Sequence, residues 1–222
     1  GDAAWHYDAS RAVKRARQQG CKVVLMVHDL IPLRHPEYCS PLVSAVFGGW
    51  LEQMLRCADA VICNSQATES DLNDFAASAG WPLPPTGHFR LGCDPVRQTG
   101  ASVVRPEITH FLGKPGASFA AVGSFEPRKN YAWLLQVFER LWAKGYSARL
   151  LIAGRPTADG QALIEKMKQH PEQGHRLITV FDASDQELDH VYAHARALLF
   201  PSLAEGFGLP LVEARTRGCL VI

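Results

Sequence analysis

No hydrophobic run in this chain approaches the length needed to cross a membrane. Charge of one sign is not in excess either, because 23 Lys and Arg residues face 22 Asp and Glu residues and leave a net charge of +1. A broad surface for a polyanion such as nucleic acid is therefore not indicated. The sequence also lacks internal repeats and low-complexity tracts, which sets aside solenoid and compositionally biased architectures.

The six cysteines lack Cys-x-x-Cys spacing and lie scattered along the chain. This distribution does not indicate a disulfide framework. Three of them, Cys21, Cys63 and Cys219, adjoin strand-like segments. We expect reduced thiols, in the core or at the surface, in a cytoplasmic protein.

Short apolar runs alternate with amphipathic helical stretches, a pattern that predicts an α/β fold with a parallel sheet covered by helices. The apolar runs are unbroken, as expected of strands that are buried on both faces. The length of 222 residues, 47% of them hydrophobic, suffices for one large or two small domains. The predicted strands are 23–27, 60–63, 88–91, 119–122, 149–153, 177–181 and 197–200.

Capping residues mark several helix boundaries. Ser65 begins a predicted helix that ends at Gly80, and Asn130 begins another that ends before Gly145. The sequence Ser-x-x-Glu at 184–187 is a capping box, which predicts a third helix start.

A stretch at 92–116 is rich in Pro, Gly and small polar residues and shows no sustained hydrophobic period. We predict an N-terminal domain over 1–95, a linker over 96–116 and a C-terminal domain over 117–222. Two doubly wound domains would turn the carboxyl ends of their strands toward a shared cleft, where such sheets bind ligands.

The segment 205–213, with the sequence EGFGLPLVE, places two glutamates eight residues apart around a glycine-bearing loop that opens a helix. Pro210 fits the first helical turn, where the missing N–H costs nothing. Amides at a helix start favour an anion, and here they belong to Phe207, Gly208 and Leu209. A carboxylate can accept two hydroxyl protons, as a vicinal diol offers. The segment therefore indicates a diphosphate flanked by two sugars, as in a nucleotide sugar.

Each glutamate alone has a simpler interpretation. Glu213 would complement the helix N-terminus, and Glu205 would be a solvated loop acid. The loop glycines, the proline and the buried-type strand just upstream favour a binding site when they are taken together.

A second cluster follows the strand predicted to end at residue 122. The sequence VGSFEPRKN leaves this strand at Gly123, presents Arg128 and Lys129, and enters a helix at Asn130. Two cations beside a helix N-terminus stabilise the charge that develops as a nucleoside diphosphate departs. The alternative is an ordinary solvated Arg-Lys pair, since charged side chains are mostly exposed.

His28 and Asp29 follow the first predicted strand. A histidine there can hydrogen-bond a donor sugar hydroxyl or a phosphate oxygen, or orient an acceptor. Asp29 could accept the acceptor's proton or cap a turn. A lone histidine at a strand end is otherwise more often structural.

Four blocks, at 26–38, 58–72, 122–135 and 201–214, resemble in order the retaining glycosyltransferases of the GT-B fold with the Glu-x7-Glu signature, the glycosyl transferases group 1. The resemblance covers roughly residue 23 to the end. It implies an α/β fold of two Rossmann-like domains that face a cleft, incomplete here at both ends. It also implies transfer of a hexose, with retention, from a nucleotide diphosphate sugar to a saccharide or lipid-linked acceptor. The most similar members are bacterial enzymes of O-antigen or exopolysaccharide assembly, often mannosyltransferases, which favours GDP-mannose.

By resemblance, Glu213 would bind the ribose hydroxyls, Glu205 the donor sugar, and Arg128 and Lys129 the diphosphate. Many members carry arginine where this chain has Ser124, so binding of the diphosphate would depend on Arg128 and Lys129 alone. The catalytic candidates are His28, Glu205 and Lys129. The donor-binding candidates are Gly123, Arg128, Lys129, Phe207, Gly208, Leu209 and Glu213.

Metal ligands and cofactors are not predicted. There is no Asp-x-Asp sequence to hold a divalent cation on a diphosphate. His190 and His194 have the helical i, i+4 spacing of a zinc-binding pair but no third ligand, so we interpret them as a surface pair. Cationic side chains and helix dipoles would replace the metal.

A basic stretch near the N-terminus could contact anionic lipid headgroups, but its apolar face is thin and a solvated helix is the simpler interpretation. Its cations are Arg11, Lys14, Arg15, Arg17 and Lys22. The location implied is the cytoplasm, with weak peripheral contact at the inner face of the plasma membrane. Other functions that remain open are a non-catalytic nucleotide-sugar binding module, a nucleotide-sugar epimerase and a sugar phosphorylase.

Overall fold

The computed structural model describes residues 10–92 and 104–222. The chain divides into two compact units. The first comprises Gly1–Gly92 together with Ala204–Phe207, and the second comprises Cys93–Leu203 together with Gly208–Ile222. The predicted domain bounds stay a prediction, and they did not anticipate that 204–207 groups with the first unit.

The first unit contains a parallel three-stranded sheet in the order β1-β2-β3. The strands are β1 (Val24–Val27), β2 (Ala60–Cys63) and β3 (Thr86–His88). The helices are α1 (Ser10–Gln18), α2 (Ile31–Arg34), α3 (Pro41–Cys57) and α4 (Gln66–Ala79), with a 3-10 turn at Pro36–Tyr38. Apolar side chains of the sheet, α3 and α4 form one core that includes Val61, Leu51 and Leu72.

The start and end of α4 follow the sequence signals. Ser65 Oγ accepts a hydrogen bond from the Thr68 amide at 3.0 Å, which satisfies one of the open donors of the first turn. Gly80 ends the helix at φ 66°, a left-handed conformation that glycine adopts without steric cost. Both predicted boundaries of this helix are therefore confirmed.

The second unit contains a parallel four-stranded sheet in the order β6-β5-β4-β7. The strands are β4 (Ser118–Val122), β5 (Arg149–Ala153), β6 (Leu177–Val180) and β7 (Ala197–Leu198). The helices are α5 (Pro106–Gly113), α6 (Tyr131–Ala143), α7 (Gln161–Lys168), α8 (Asp185–His194) and α9 (Leu209–Thr216), with a 3-10 turn at Pro127–Lys129. The prediction of parallel sheets covered by helices is confirmed.

Helices cover both faces of this second sheet. Ala120 and Val122 of β4 pack in one core with α5, α8 and α9, whereas Ala121 between them packs in another core with α6 and α7. Successive strand residues point to opposite faces, so an unbroken apolar run is what a doubly covered strand requires.

Several details differ from the sequence predictions. Residues 106–113, placed in the linker, form α5, whose Ile108 and Phe111 are buried in the core. The strand predicted at 88–91 is Thr86–His88, because pairing with β2 ends at His88 opposite Cys63. The strands predicted at 177–181 and 197–200 end earlier, at Val180 and Leu198.

Asn130 precedes α6 as predicted, but it does so without capping through its side chain. It adopts φ 58° and makes no side-chain hydrogen bond to the helix. Asparagine tolerates this left-handed conformation, which turns the chain out of the 3-10 turn and into α6.

An ion pair fixes the start of α8. Glu187 is 4% exposed and accepts hydrogen bonds from Arg105 Nε at 2.6 Å and from the Ser184 amide at 2.9 Å, which completes the predicted capping box. The hydrogen bonds from Arg105 are the main cause that lowers the pKa of Glu187 from its ordinary 4.5 to about 2.

We expect Glu187→Gln to lower the free energy of unfolding at neutral pH by about 2 kcal/mol, since it removes the charge of a buried carboxylate that pairs with the partly exposed Arg105. A lowered folded-state pKa gives stability that is complete above the unfolded value and is lost as the pH falls. The difference between wild type and variant should therefore shrink between pH 4.5 and about 2. Urea titrations across this pH range measure the difference in the free energy of unfolding between the two proteins.

Glu52→Gln is the matched control, because Glu52 pairs with Arg56 on an exposed helix surface. Such pairs contribute on the order of 0.5 kcal/mol. A pH-independent difference between wild type and Glu187→Gln would contradict the assignment.

Candidate functional site

Strands β4 and β7 are neighbours, and this brings the turn after β4 close to the loop after β7. Phe119 pairs with Ala197 and Ala120 with Leu198, in parallel, so both strands end at the same edge of the sheet. The amide of Leu203 donates to the Arg128 carbonyl at 2.8 Å and ties the loop to the turn.

Lys129 lies in the 3-10 turn after β4, and its residue is only 6% exposed. Its Nζ lies 5.7 Å from the centroid of the Phe200 ring, a cation–π distance. A Cβ added to Gly123 would lie 3.3 Å from Lys129 Cε and 3.4 Å from Nζ. The ammonium is therefore held against the backbone at the carboxyl end of β4.

Gly123 is required at this point by its conformation as well as by the contact. Its φ is 149°, which L side chains rarely adopt. The sequence pattern VG before a charged turn thus reflects a real close approach of a lysine to the strand end.

Arg128 is held by an acid that the sequence predictions did not single out. Its Nε donates to Glu126 Oε2 at 2.6 Å, and Ser124 Oγ donates to Glu126 Oε1 at 2.5 Å. Ser124 therefore takes part in holding Arg128 through the carboxylate that both side chains contact. The spacing of Ser124, Glu126 and Arg128 at i, i+2, i+4 in a turn is the signal that could have pointed to this cluster.

Helix α9 begins as the sequence predicts, with Pro210 in its first turn and Gly208 before it at φ 87°. A Cβ at Gly208 would lie 3.1 Å from Leu211 Cδ1 and 3.6 Å from Phe200 Cζ. Phe200 thus contacts both Lys129 and the position of Gly208, and it joins the turn after β4 to the start of α9. Leu209 at the helix start is 42% exposed.

Glu213 lies in the second turn of α9, where Tyr192 of α8 donates its hydroxyl to Glu213 Oε2 at 2.8 Å. Burial, together with the negative charge of Glu213, raises the pKa of Tyr192, which keeps the phenol protonated. Sequence reasoning missed Tyr192, because an apolar helix face with a tyrosine resembles any core helix.

The first unit places His28 directly after β1, with an exposed side chain. Asp29 Oδ1 accepts a hydrogen bond from the Ile31 amide at 3.1 Å, so it caps the turn before α2, one of its two predicted roles. The segment 204–207, which carries Glu205 and Phe207, belongs to the same unit.

Gly206 is the contact point of that segment. Its carbonyl accepts hydrogen bonds from Ser65 Oγ at 2.7 Å and Thr68 Oγ1 at 3.3 Å. A Cβ at Gly206 would lie 2.3 Å from the carbonyl oxygen of His28. The first unit therefore brings His28 close to the glycine that follows Glu205.

The structure thus distributes the candidates over two units. The second holds Gly123, Arg128, Lys129, Gly208, Leu209 and Glu213, and the first holds His28, Glu205 and Phe207. The predicted role of each residue stays a prediction.

Other sequence features have local structural explanations. His190 and His194 stack with ring centroids 3.9 Å apart, and no group of three potential metal ligands occurs in the described part of the chain. Arg17 and Lys22 of the basic stretch both lie 3.6 Å from Asp59. No helix within 10–92 or 104–222 is long and apolar enough to span a bilayer.

We expect Gly123→Ala to destabilise the fold by about 2–3 kcal/mol, because it adds backbone strain and displaces Lys129 and the Tyr131 hydroxyl, which would lie 3.0 Å from the added Cβ. Gly145→Ala is the matched control: Gly145 also has positive φ, 84°, but no atom of the described residues lies within 4 Å of its added Cβ. The control should lose about 1 kcal/mol. Equal losses in urea denaturation would contradict the close packing of Tyr131 and Lys129 on residue 123.

Comparison with known families agrees with this architecture. Residues 108–222 match the family described as glycosyl transferases group 1, and residues 3–80 match the family described as glycosyltransferase family 4.

The similar curated proteins are mannosyltransferases. Over 213 residues the chain is 35% identical to the serotype-specific mannosyltransferase WbdA of Escherichia coli. This match covers 93% of this chain and 26% of that protein. Over 104 residues it is 31% identical to the O-antigen chain mannosyltransferase RfbU of Salmonella typhimurium. This match covers 47% of this chain and 28% of that protein. The chain spans about a quarter of the length of these relatives.

Solved structures show the same fold. HepE of Anabaena, in complex with UDP and glucose, superposes with a TM-score of 0.70 at 20% identity over 95% of this chain and 55% of that chain. Sucrose-phosphate synthase of Thermosynechococcus elongatus superposes with a TM-score of 0.68 at 21% identity over 94% of this chain and 51% of that chain. The chain belongs to the glycosyl transferases group 1 family and has the α/β fold of the GT-B glycosyltransferases.

Proposed function

We propose that this protein transfers a hexose from a nucleotide diphosphate sugar to a saccharide or lipid-linked saccharide acceptor in O-antigen or related polysaccharide synthesis. Membership of the glycosyl transferases group 1 family supports glycosyl transfer. The relatives named as mannosyltransferases, two of them as O-antigen chain enzymes, favour mannose as the sugar and GDP-mannose as the donor.

The observation that carries the proposal is the position of Lys129. Its ammonium lies at the carboxyl end of β4, next to the glycine backbone and the Phe200 ring. An ammonium in such low-dielectric surroundings interacts more strongly with phosphate than a solvated one does. The carboxyl edge of a parallel sheet is also where doubly wound folds bind nucleotides.

The neighbouring groups fit the other parts of a nucleotide sugar. Arg128 adds a second cation in the same turn, and the start of α9 at Gly208 and Leu209 offers backbone amides with the positive end of the helix dipole. Glu213, in the second turn of α9, would accept hydrogen bonds from the ribose hydroxyls.

The remaining candidates belong to the sugar end of the donor. Glu205 would accept hydrogen bonds from donor sugar hydroxyls near the anomeric carbon, with the Phe207 amide contributing to the anion site. His28 would hydrogen-bond the donor sugar or a phosphate oxygen, or orient the acceptor.

We further propose that the reaction retains anomeric configuration and needs no divalent metal. The bond between the anomeric carbon and the β-phosphate oxygen breaks while the acceptor oxygen attacks the anomeric carbon on the face that the phosphate leaves, so the configuration is kept. The acceptor proton passes to the departing phosphate on that same face. The products are a glycoside and a nucleoside diphosphate. Lys129 and Arg128 stabilise the charge that the phosphate gains, which is the contribution a metal ion makes in other transferases.

A ligand screen on the intact protein tests the donor. We expect GDP-mannose to raise the melting temperature more than UDP- or ADP-sugars do, because a ligand that binds only the folded state stabilises it. Product analysis with the stabilising donor then separates the alternatives. Transfer to a saccharide acceptor supports the proposal, whereas an epimerised or phosphorolysed product, or tight binding with no turnover, would overturn it.

Two substitutions separate chemistry from binding. Lys129→Ala should lower kcat by about 100-fold or more with a smaller change in donor affinity, because it removes charge stabilisation that grows in the transition state. Glu213→Ala should weaken donor binding by about tenfold or more, because it removes hydrogen bonds to a charged acceptor.

The matched control is Lys144→Ala, which removes an exposed lysine at the end of α6 in the same unit. Steady-state kinetics and donor titrations should leave it within about twofold of wild type. Unchanged activity in both Lys129→Ala and Glu213→Ala would rule out the site.

A further inference from the structure

Tyr192 is one of the largest fully buried side chains of the described residues, at 1% exposure, yet it carries a hydroxyl. That hydroxyl donates to Glu213 Oε2 at 2.8 Å. Tyr192 lies on α8 and Glu213 on α9, so the hydrogen bond joins two helices that cover the same face of the second sheet.

The direction of this hydrogen bond is fixed. Burial and the charge of Glu213 raise the pKa of Tyr192, so the phenol keeps its proton at physiological pH. A protonated phenol facing a carboxylate acts as the donor. The Tyr192 hydroxyl of α8 therefore occupies one carboxylate oxygen of Glu213, Oε2.

A second set of contacts holds the tyrosine ring itself. Arg217 of the α9 C-cap forms an ion pair with Asp189 of α8 through its Nε, and its Cζ lies 5.6 Å from the centroid of the Tyr192 ring. Its Nη1 also donates to the Glu213 carbonyl at 3.0 Å. Arg217 thus contacts both the Tyr192 ring and the backbone of Glu213.

A carboxylate offers two oxygens to hydroxyl donors, and a ribose offers two neighbouring hydroxyls. If Glu213 rotated freely, binding a diol would require ordering it at an entropic cost. The phenol restricts that rotation before the ligand arrives.

We propose that Tyr192 is a positioning residue for the ribose site: by occupying Oε2 of Glu213, it directs Oε1 to accept the ribose hydroxyls of the donor. This inference rests on the proposed function, in which Glu213 binds ribose. Tyr192 acts through Glu213 and does not touch the nucleotide.

The test is a thermodynamic cycle on the intact protein, which combines a substitution at Tyr192 with the removal of one ribose hydroxyl from the ligand. Calorimetric titrations use GDP and UDP, each with its 2′-deoxy and 3′-deoxy forms, on wild type and on Tyr192→Phe. In wild type we expect loss of the recognised hydroxyl to weaken binding by about tenfold. In Tyr192→Phe the same loss should cost only about threefold or less, because the carboxylate is no longer held toward the hydroxyl.

Tyr146→Phe is the matched control, since Tyr146 lies in the same unit and is 58% exposed. It should keep the wild-type deoxy penalty, which is the factor by which loss of the recognised ribose hydroxyl weakens binding. Tyr192→Met, in which a flexible side chain fills the space without a donor, serves as a second variant if the phenylalanine variant does not fold at the assay temperature.

The outcomes separate this inference from the function on which it rests. An equal deoxy penalty in wild type and in both Tyr192 variants would overturn the positioning role, while a penalty that disappears in Glu213→Gln would still support the ribose site. No deoxy penalty in wild type, with binding unchanged in Glu213→Gln, would overturn both.

Discussion

The pairing of β7 beside β4 is the constraint on which the candidate donor site depends. The chain runs outward through β4, β5 and β6, and then returns through α8 to place β7 on the other side of β4. The strand order therefore reverses between β4 and β7, which is the position where doubly wound sheets open a crevice for a ligand. Only two residue pairs form this ladder, yet they place Lys129, Phe200 and the start of α9 together.

Glycine makes these contacts close enough to be useful. The lysine can lie against the end of β4 because residue 123 has no Cβ, and α9 can begin against Phe200 because residue 208 has none either. A larger residue at either position would displace the Lys129 ammonium or the amides at the start of α9 from the places that the proposed phosphate site requires. Accurate placement matters here, since electrostatic stabilisation depends on groups that are already in position.

The sequence predicted those features that depend on local chemistry. The capping serine of α4, the capping box at Ser184, and the proline and glycine that begin α9 are decided within a few residues, and the structure confirms them. It did not predict α5, because a helix of eight residues between proline and glycine has too few turns to show a period. Glu126 and Tyr192 were missed for another reason: their partners are evident only once the turn or the helix pair has formed.

These missed residues hold the side chains to which the proposed function assigns contacts with the donor. Glu126, which Ser124 also contacts, holds the Arg128 guanidinium that we propose for the diphosphate, and Tyr192 holds the Glu213 carboxylate that we propose for the ribose. Each of these supporting hydrogen bonds lies within one turn or one helix pair, so its residues can be substituted without altering the sheet. HepE and sucrose-phosphate synthase have this fold at 20% and 21% sequence identity, so the backbone arrangement does not require most of these side chains. If the proposed function holds, specificity for a sugar or an acceptor is therefore to be sought in such supporting contacts and in the loops, because function depends on the residues of the site and not on the fold that carries them.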